Sequence, residues 1–109
     1  ATSTGMAPYA AAKGGVLTLT KTMALDLAPD NIRVICIIPG ATDTPMLRQH
    51  AEREGKTLAE LGFPTSESAI GRIAQPEEVA DVIAFALSRG ASFITGSSLI
   101  PDGGILAKF

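Results

Sequence analysis

A run of seven residues, 32–38, constrains the fold of this chain more than any other stretch. It reads Ile-Arg-Val-Ile-Cys-Ile-Ile and ends abruptly at Pro39-Gly40. A nearly continuous β-branched run is typical of a strand buried on both faces, as in a parallel sheet with helices above and below it. The run therefore predicts an α/β fold with a central strand at 32–38.

A helical pattern precedes this strand. Residues 9 to about 28 contain three consecutive alanines and apolar residues at three- and four-residue spacing, and Pro8 suits the first helical turn. The pair Gly14-Gly15 costs about 1 kcal/mol per glycine relative to alanine in such a helix. Two explanations stay open: another backbone or a ligand packs closely against this turn, or the cost is tolerated.

A second helix and a second strand follow the central run. Pro76 opens the helix with acidic residues in its first turn, which the helix dipole favours. Its predicted buried face consists of Val79, Val82, Ile83, Ala86 and Leu87. We expect the helix to end at Arg89-Gly90, with a cation near its C-terminus and a glycine of left-handed φ. A short strand is expected at 97–100.

Residues 39–45 occupy the position of a ligand loop. Ligands of open α/β sheets bind in the crevice at the carboxyl ends of the strands. This loop offers exposed backbone groups and the hydroxyls of Thr42 and Thr44. The alternative is a plain strand-to-helix turn, in which Thr44 caps a helix that begins at Pro45.

Residues 46–75 are less regular and predict a mobile segment over a substrate. Short helices are expected at 46–54 and 57–61, with a break at 62–66. We interpret His50, the single histidine, as a solvated helix residue. Only Glu54 lies one turn further on, and two ligands do not form a zinc site. No metal site is predicted.

Tyr9 and Lys13 form the pair with the clearest chemical potential. Four positions apart, they lie on one face of a helix, about one turn from each other. A phenol, whose ordinary pKa is about 10, works as a general acid or base near neutral pH when a neighbouring ammonium favours the phenolate. By itself the pair also fits a surface helix with an amphipathic tyrosine and a solvated lysine.

Composition narrows the class of protein. The chain has 109 residues, one cysteine and a formal net charge of -2, so we expect one domain at most and no nucleic-acid interface. No apolar run reaches the roughly 20 residues of a membrane span, and a lone thiol is compatible with the cytoplasm. Two strands make a poor sheet. Together with the missing initiator methionine, this predicts a piece of a longer protein.

Five motifs follow one another in a fixed order. They are Tyr-x-x-x-Lys at 9–13, Asn-Ile-Arg-Val at 31–34, Pro-Gly-x-x-x-Thr at 39–44, Arg-Ile-Ala-Gln-Pro-Glu-Glu-Val-Ala at 72–80, and Phe-Ile-Thr-Gly at 93–96 with Asp-Gly-Gly at 102–104. The chain thus resembles the C-terminal half of a short-chain dehydrogenase/reductase of the Tyr-x-x-x-Lys type. The resemblance implies the C-terminal part of a Rossmann-like, doubly wound parallel sheet in three α/β/α layers, with the N-terminal strands missing. Residues 1–109 would form half of one domain, with a substrate loop at about 45–75.

The resemblance also implies functional roles. Tyr9 would be the general acid/base that protonates a ketone, or deprotonates a secondary alcohol, while a hydride moves from or to NAD or NADP. Lys13 would favour the phenolate and hydrogen-bond the nicotinamide ribose. The cofactor-binding residues would be Tyr9, Lys13, Pro39, Gly40, Thr42 and Thr44. The partners implied are a small alcohol or ketone and further copies of the chain, in a homodimer or homotetramer joined near the second helix and last strand.

Several family features lie outside this sequence. The Gly-rich phosphate-binding turn, the residue that selects NAD or NADP and the upstream catalytic serine are not found, and Ser3 is too close to Tyr9 to be that serine. We therefore expect the chain alone to be inactive. The Tyr–Lys spacing argues against the enoyl reductase branch. The alternative function is a non-catalytic dinucleotide-binding sensor or scaffold, whereas a small helical interaction module leaves the buried run before Pro39-Gly40 unexplained.

Overall fold

The structure, a computed structural model, describes residues 6–61 and 68–108. Its helices are α1 (Ala7–Leu27), α2 (Pro45–Arg53) and α3 (Pro76–Leu87), and its strands are β1 (Cys36–Ile37) and β2 (Ser98–Leu99). Short 3-10 helices at Ala28–Asp30, Arg89–Ala91 and Leu106–Lys108 follow α1, α3 and β2. The break expected at 62–66 lies outside the described residues.

The two strands pair in parallel, with Cys36 opposite Ser98 and Ile37 opposite Leu99. The backbone N–H of Cys36 donates to the Ser97 carbonyl at 3.0 Å, and that of Ile38 donates to the Leu99 carbonyl at 2.9 Å. Parallel strands need a crossover connection, which here contains α3. The predicted α/β arrangement is therefore confirmed.

Both strands are shorter than the sequence predicts. Backbone pairing nevertheless continues on both sides of β1. Before the strand, the Gly96 N–H donates to the Val34 carbonyl at 2.8 Å, and after it the Gly40 N–H donates to the Pro101 carbonyl at 3.1 Å. Cys36 is buried, but Ile37 is only half-buried and Ile32 is exposed. The prediction that this strand is buried on both faces is thus wrong for the described residues. Among them, β1 has β2 as its one neighbouring strand and no strand on its other side.

Helix α1 packs on the sheet through its C-terminal half. Thr20 and Ala24 are its buried residues, and the Ala24 Cβ lies 3.4 Å from the position that a Cβ on Gly96 would take. The N-terminal half is exposed. At Gly14 and Gly15, no described atom outside the neighbouring backbone of α1 itself lies within 4 Å of an added Cβ, so no other described element packs its backbone against that turn.

Helix α3 buries less of its apolar face than predicted. Ala86 is buried, whereas Ile83 and Leu87 are 43% and 79% exposed, so the prediction is wrong for these two side chains. They border an apolar groove of about 210 Å³ between β1 and α3. None of the predicted site residues lines this groove, so it is not part of the candidate site.

The C-terminal end of α3 is stabilised from a distance. The prediction that Gly90 adopts a left-handed φ is wrong, and Arg89 lies beyond the last turn. The Arg33 guanidinium donates instead to the carbonyls of Ala86 at 2.9 Å and Ile94 at 3.3 Å. The cation that the helix end favours is therefore supplied by Arg33, from the residues just before β1.

Helix α2 forms where the sequence predicts it, and His50 is exposed on it. The prediction of a helix at 57–61 is wrong, because only a single turn forms there. In that turn the Thr57 N–H donates to the Glu60 carboxylate at 2.7 Å and the Glu60 N–H donates to the Thr57 hydroxyl at 3.2 Å. Among the described helices, none has the length and apolar character needed to cross a bilayer.

Candidate functional site

Tyr9 and Lys13 lie together on the exposed N-terminal half of α1. The Lys13 Nζ is 5.5 Å from the centroid of the Tyr9 ring, within the range of a cation–π interaction. The Tyr9 side chain is 54% exposed. The pairing expected from the four-residue spacing is formed, and the phenol is accessible to a ligand.

The loop at 39–44 joins β1 to α2. Within it, the Thr42 hydroxyl donates to the Gly40 carbonyl at 3.1 Å. The Thr44 hydroxyl accepts from the Leu47 N–H at 3.3 Å and so caps α2. Thr44 therefore caps the helix that begins at Pro45, as the alternative interpretation of this loop as a strand-to-helix turn predicts. Because a hydroxyl also carries one donor proton, capping leaves that proton available to a ligand.

Ala74 fixes the far side of this loop. Its carbonyl accepts from the Asp43 N–H at 2.9 Å, and its own N–H donates to the Ala41 carbonyl at 2.9 Å. Thr42 and Ala74 form a parallel bridge as a result. The loop is therefore paired with Ala74 along one backbone edge of a short extended stretch, which gives its hydroxyls defined positions.

Gly40 is in close contact with the turn after β2. A Cβ at this position would lie 2.8 Å from the Asp102 Cα, so only glycine fits without displacing that backbone. The Asp102 carboxylate accepts from the Leu106 N–H at 2.9 Å and the Gly104 N–H at 2.8 Å. These bonds hold the pKa of Asp102 below its ordinary value. The sequence contained this signal in its Asp-Gly-Gly motif, but the contact with Gly40 was missed.

A carboxylate in the loop is neutralised by its neighbour. Arg48 Nε donates to Asp43 Oδ1 at 2.8 Å and Arg48 Nη2 to Asp43 Oδ2 at 2.6 Å. The Asp43 side chain is only 16% exposed, and the Arg48 guanidinium lowers the pKa of that carboxyl. The pair leaves no uncompensated negative charge in the loop, which suits the approach of an anionic ligand.

From the chain connection and ideal helix and strand geometry, we expect the two groups of candidate residues to lie toward the same end of the sheet. Helix α1 contacts β1 and is linked to it by residues 28–35, so it runs back along the strand in the opposite direction. Lys13 lies about 16 Å along the helix axis from the buried Ala24, and Gly40 lies about 13 Å along the strand from Cys36. Within residues 6–61 and 68–108, no hydrogen bond joins the Tyr9–Lys13 pair to the loop.

Comparison with known proteins places this arrangement in context. A family model described as enoyl-(acyl carrier protein) reductase matches residues 1–106. The cyclopentanol dehydrogenase of Comamonas sp. (strain NCIMB 9872) is 47% identical over 104 residues, which cover 95% of this chain and 40% of that protein. The chain thus spans about two fifths of the length of this relative. The expectation that the chain lies outside the enoyl reductase branch, which is based on the Tyr–Lys spacing, stays a prediction.

Solved structures agree with the sequence matches. The ligand-free aldohexose dehydrogenase of Thermoplasma acidophilum is 38% identical, with a TM-score of 0.86 over 97% of this chain and 43% of that one. A short chain dehydrogenase family protein from Francisella tularensis subsp. tularensis SCHU S4 is 36% identical, with a TM-score of 0.78 over 91% of this chain and 43% of that one. The fold is therefore part of a Rossmann-like α/β domain, as predicted, and the chain belongs to the short-chain dehydrogenase/reductase family.

Proposed function

We propose that residues 1–109 are the C-terminal part of an NAD(P)-dependent oxidoreductase that interconverts a secondary alcohol and a ketone. The observation that carries the proposal is the exposed Tyr9–Lys13 pair, one helical turn apart on α1. Family membership and the alcohol dehydrogenase named among the relatives support it. Residues of about 45–75 would form the substrate loop of this enzyme.

The residues present fit a nicotinamide cofactor. Its nicotinamide supplies or accepts the hydride when bound. The Lys13 ammonium has three donors for the ribose hydroxyls, and the donor proton of Thr44 suits the carboxamide oxygen. Pro39, Gly40 and Thr42 would border the ring. The neutralised Asp43 adds no charge that would repel the dinucleotide phosphates.

Tyr9 would move the proton of the reaction. In the reductive direction its hydroxyl gives a proton to the ketone oxygen as the carbonyl carbon gains a hydride, so that an alcohol and a phenolate result. The Lys13 ammonium stabilises this phenolate by its positive charge. In the oxidative direction the phenolate takes the alcohol proton back. A positioned acid/base of this kind contributes about 10²- to 10⁴-fold to a rate.

The proposal is tested in the full-length protein of which we propose this chain to be a part. Nicotinamide absorbance is followed with a panel of ketones and secondary alcohols, using NAD and NADP in turn. We expect Tyr9→Phe to lose about 10²-fold or more of the turnover while cofactor binding is retained. Lys13→Met should also impair turnover, whereas Lys21→Met, an exposed lysine on the same helix, should not.

Two results would contradict the proposal. Full turnover by Tyr9→Phe would remove the acid/base function from this residue. Cofactor binding by the wild-type protein without turnover across the panel would favour the non-catalytic sensor or scaffold. The 109-residue chain alone is expected to be inactive. Carbonyl reduction by the purified chain would contradict this expectation.

Assembly and location belong to the same proposal. Near the end of α3, Phe93 is fully exposed and Leu87 is 79% exposed, and burial of such large apolar side chains would favour contact with another copy of the chain. We propose a homodimer or homotetramer in the cytoplasm. Sedimentation of the full-length protein measures the assembly state.

A further inference from the structure

The loop at 39–44, which leads into the proposed substrate loop, and the second end of that substrate loop meet at one turn of the chain. This second end is the described segment 68–74. The turn at 102–104 contacts both. On one side lies Gly40, in contact with Asp102. On the other side, the N–H groups of Ala69 and Ile70 donate to the Gly103 carbonyl at 2.8 Å and 3.2 Å.

Ser68 is the side chain that connects the second end to this turn. It is buried, with 9% of its surface exposed. Its hydroxyl donates to the Gly103 carbonyl at 3.2 Å and accepts from the N–H groups of Ile70 at 3.1 Å and Gly71 at 3.2 Å. A hydroxyl has one donor and two acceptor positions, and all three are used here.

The fit between Ser68 and Gly103 is close. Gly103 has a φ of +64°, and a Cβ on it would lie 2.6 Å from the Ser68 Oγ. Glycine is therefore required by both conformation and space. The contact that exists is the 3.2 Å hydrogen bond from the Ser68 hydroxyl to the Gly103 carbonyl, and it couples the position of Ser68 to that of the turn.

We propose that Ser68 is a positioning residue for substrate binding. Acting through Gly103 and the turn at 102–104, it holds the second end of the substrate loop against the loop that carries Thr42 and Thr44. Together with the direct backbone bonds of Ala74 to Ala41 and Asp43, it thereby sets the distance between residues 68–74 and the loop at 39–44. The inference rests on the proposed function, since that function assigns the substrate to residues of about 45–75.

The kinetic test uses Ser68→Ala in the full-length protein. We expect the KM for the alcohol or ketone to rise about 5- to 30-fold, as for the loss of one or two net hydrogen bonds. The kcat should change by less than about twofold, because binding of the substrate in the ground state and in the transition state weakens equally. Ser97→Ala, an exposed serine with one hydrogen bond to the Thr95 carbonyl, is the matched control and should change neither.

Hydrogen exchange gives a readout that needs no turnover. In Ser68→Ala, the amides of Ile70 and Gly71 should exchange faster, and so should those of Gly40 and Asp43 on the other loop. Faster exchange confined to Ile70 and Gly71, or an unchanged substrate KM, would overturn the proposal.

Two further provisions keep the test decisive. If Ser68→Ala does not fold, Ser68→Cys is the second variant: its thiol takes the place of the hydroxyl with a slightly larger atom and weaker hydrogen bonds, and it should show smaller changes in the same direction. If the wild-type protein shows no turnover, the proposed function fails. Exchange at Gly40 and Asp43 then decides alone whether Ser68 holds the two loops together.

Discussion

Replacing Gly40 by alanine tests how closely the loop at 39–44 and the turn after β2 are packed. The added methyl carbon would lie 2.8 Å from the Asp102 Cα, 3.1 Å from its carbonyl oxygen and 3.2 Å from its carbonyl carbon. Ordinary contacts begin at about 3.4 Å, so the backbone must retreat by about 0.6 Å. Asp102 resists this movement, because its carboxylate holds the amides of Gly104 and Leu106.

The magnitude follows from the steric conflict alone. Gly40 does not have a left-handed φ, so alanine adds no backbone strain. Overpacking of this kind costs about 1–3 kcal/mol. We expect Gly40→Ala to lower the free energy of unfolding of the full-length protein by this amount, measured by urea titration followed by circular dichroism, and to weaken cofactor binding.

Gly14→Ala is the matched control, since it adds the same methyl group where no other described element of the chain lies within 4 Å. Alanine is favoured over glycine inside a helix by about 1 kcal/mol, so this variant should be more stable than the wild type. Equal stability of Gly40→Ala and the wild type would refute the close contact with Asp102. Destabilisation by Gly14→Ala would show instead that another element packs against that turn, the first of the two explanations for the glycine pair.

Two further predictions concern helix starts. Thr44→Ala should remove the cap of α2 and lower the free energy of unfolding by about 0.5–2 kcal/mol. Thr44→Ser should keep most of the capping stabilisation. Equal losses of stability in denaturant titrations of the two variants would contradict the capping role. The pKa of Glu78 is lowered to about 2 by hydrogen bonds from the Arg72 guanidinium and then the Gln75 N–H. The stabilisation it provides is therefore present above the unfolded-state pKa of about 4.5 and is lost as the pH falls from there to about 2. Glu78→Gln should weaken this acid dependence, and circular dichroism profiles identical to the wild type between pH 5 and 2 would count against it.

The elements of the fold were largely predictable because their signals are local. The β-branched run ending at Pro39-Gly40 predicts the parallel strand, and proline in the first turn marks the start of α1, α2 and α3. The Tyr9–Lys13 pair follows from helical spacing alone. Strand lengths and burial were not predictable, since they depend on which neighbours cover β1 and α3 rather than on the side chains of those elements.

The composition of the candidate site was predictable only in part. Thr42 and Thr44 are visible as hydroxyls after a buried strand. The neutralisation of Asp43 by Arg48 was missed, although the two residues are only five positions apart, because a charge pair in a loop has no periodic signature. The Asp-Gly-Gly motif was noticed without a function, since its meaning depends on Gly40 lying against it.

By itself, then, the sequence determined the order and type of the elements, the Tyr9–Lys13 pair and the loop after β1. The tertiary structure decided which distant groups meet. Arg33 binds a carbonyl 53 positions away at the end of α3, and Ser68 binds the Gly103 carbonyl from 35 positions away. The physical reason is that helix and strand patterns record interactions over a few residues, whereas these contacts exist only after the chain has folded back on itself.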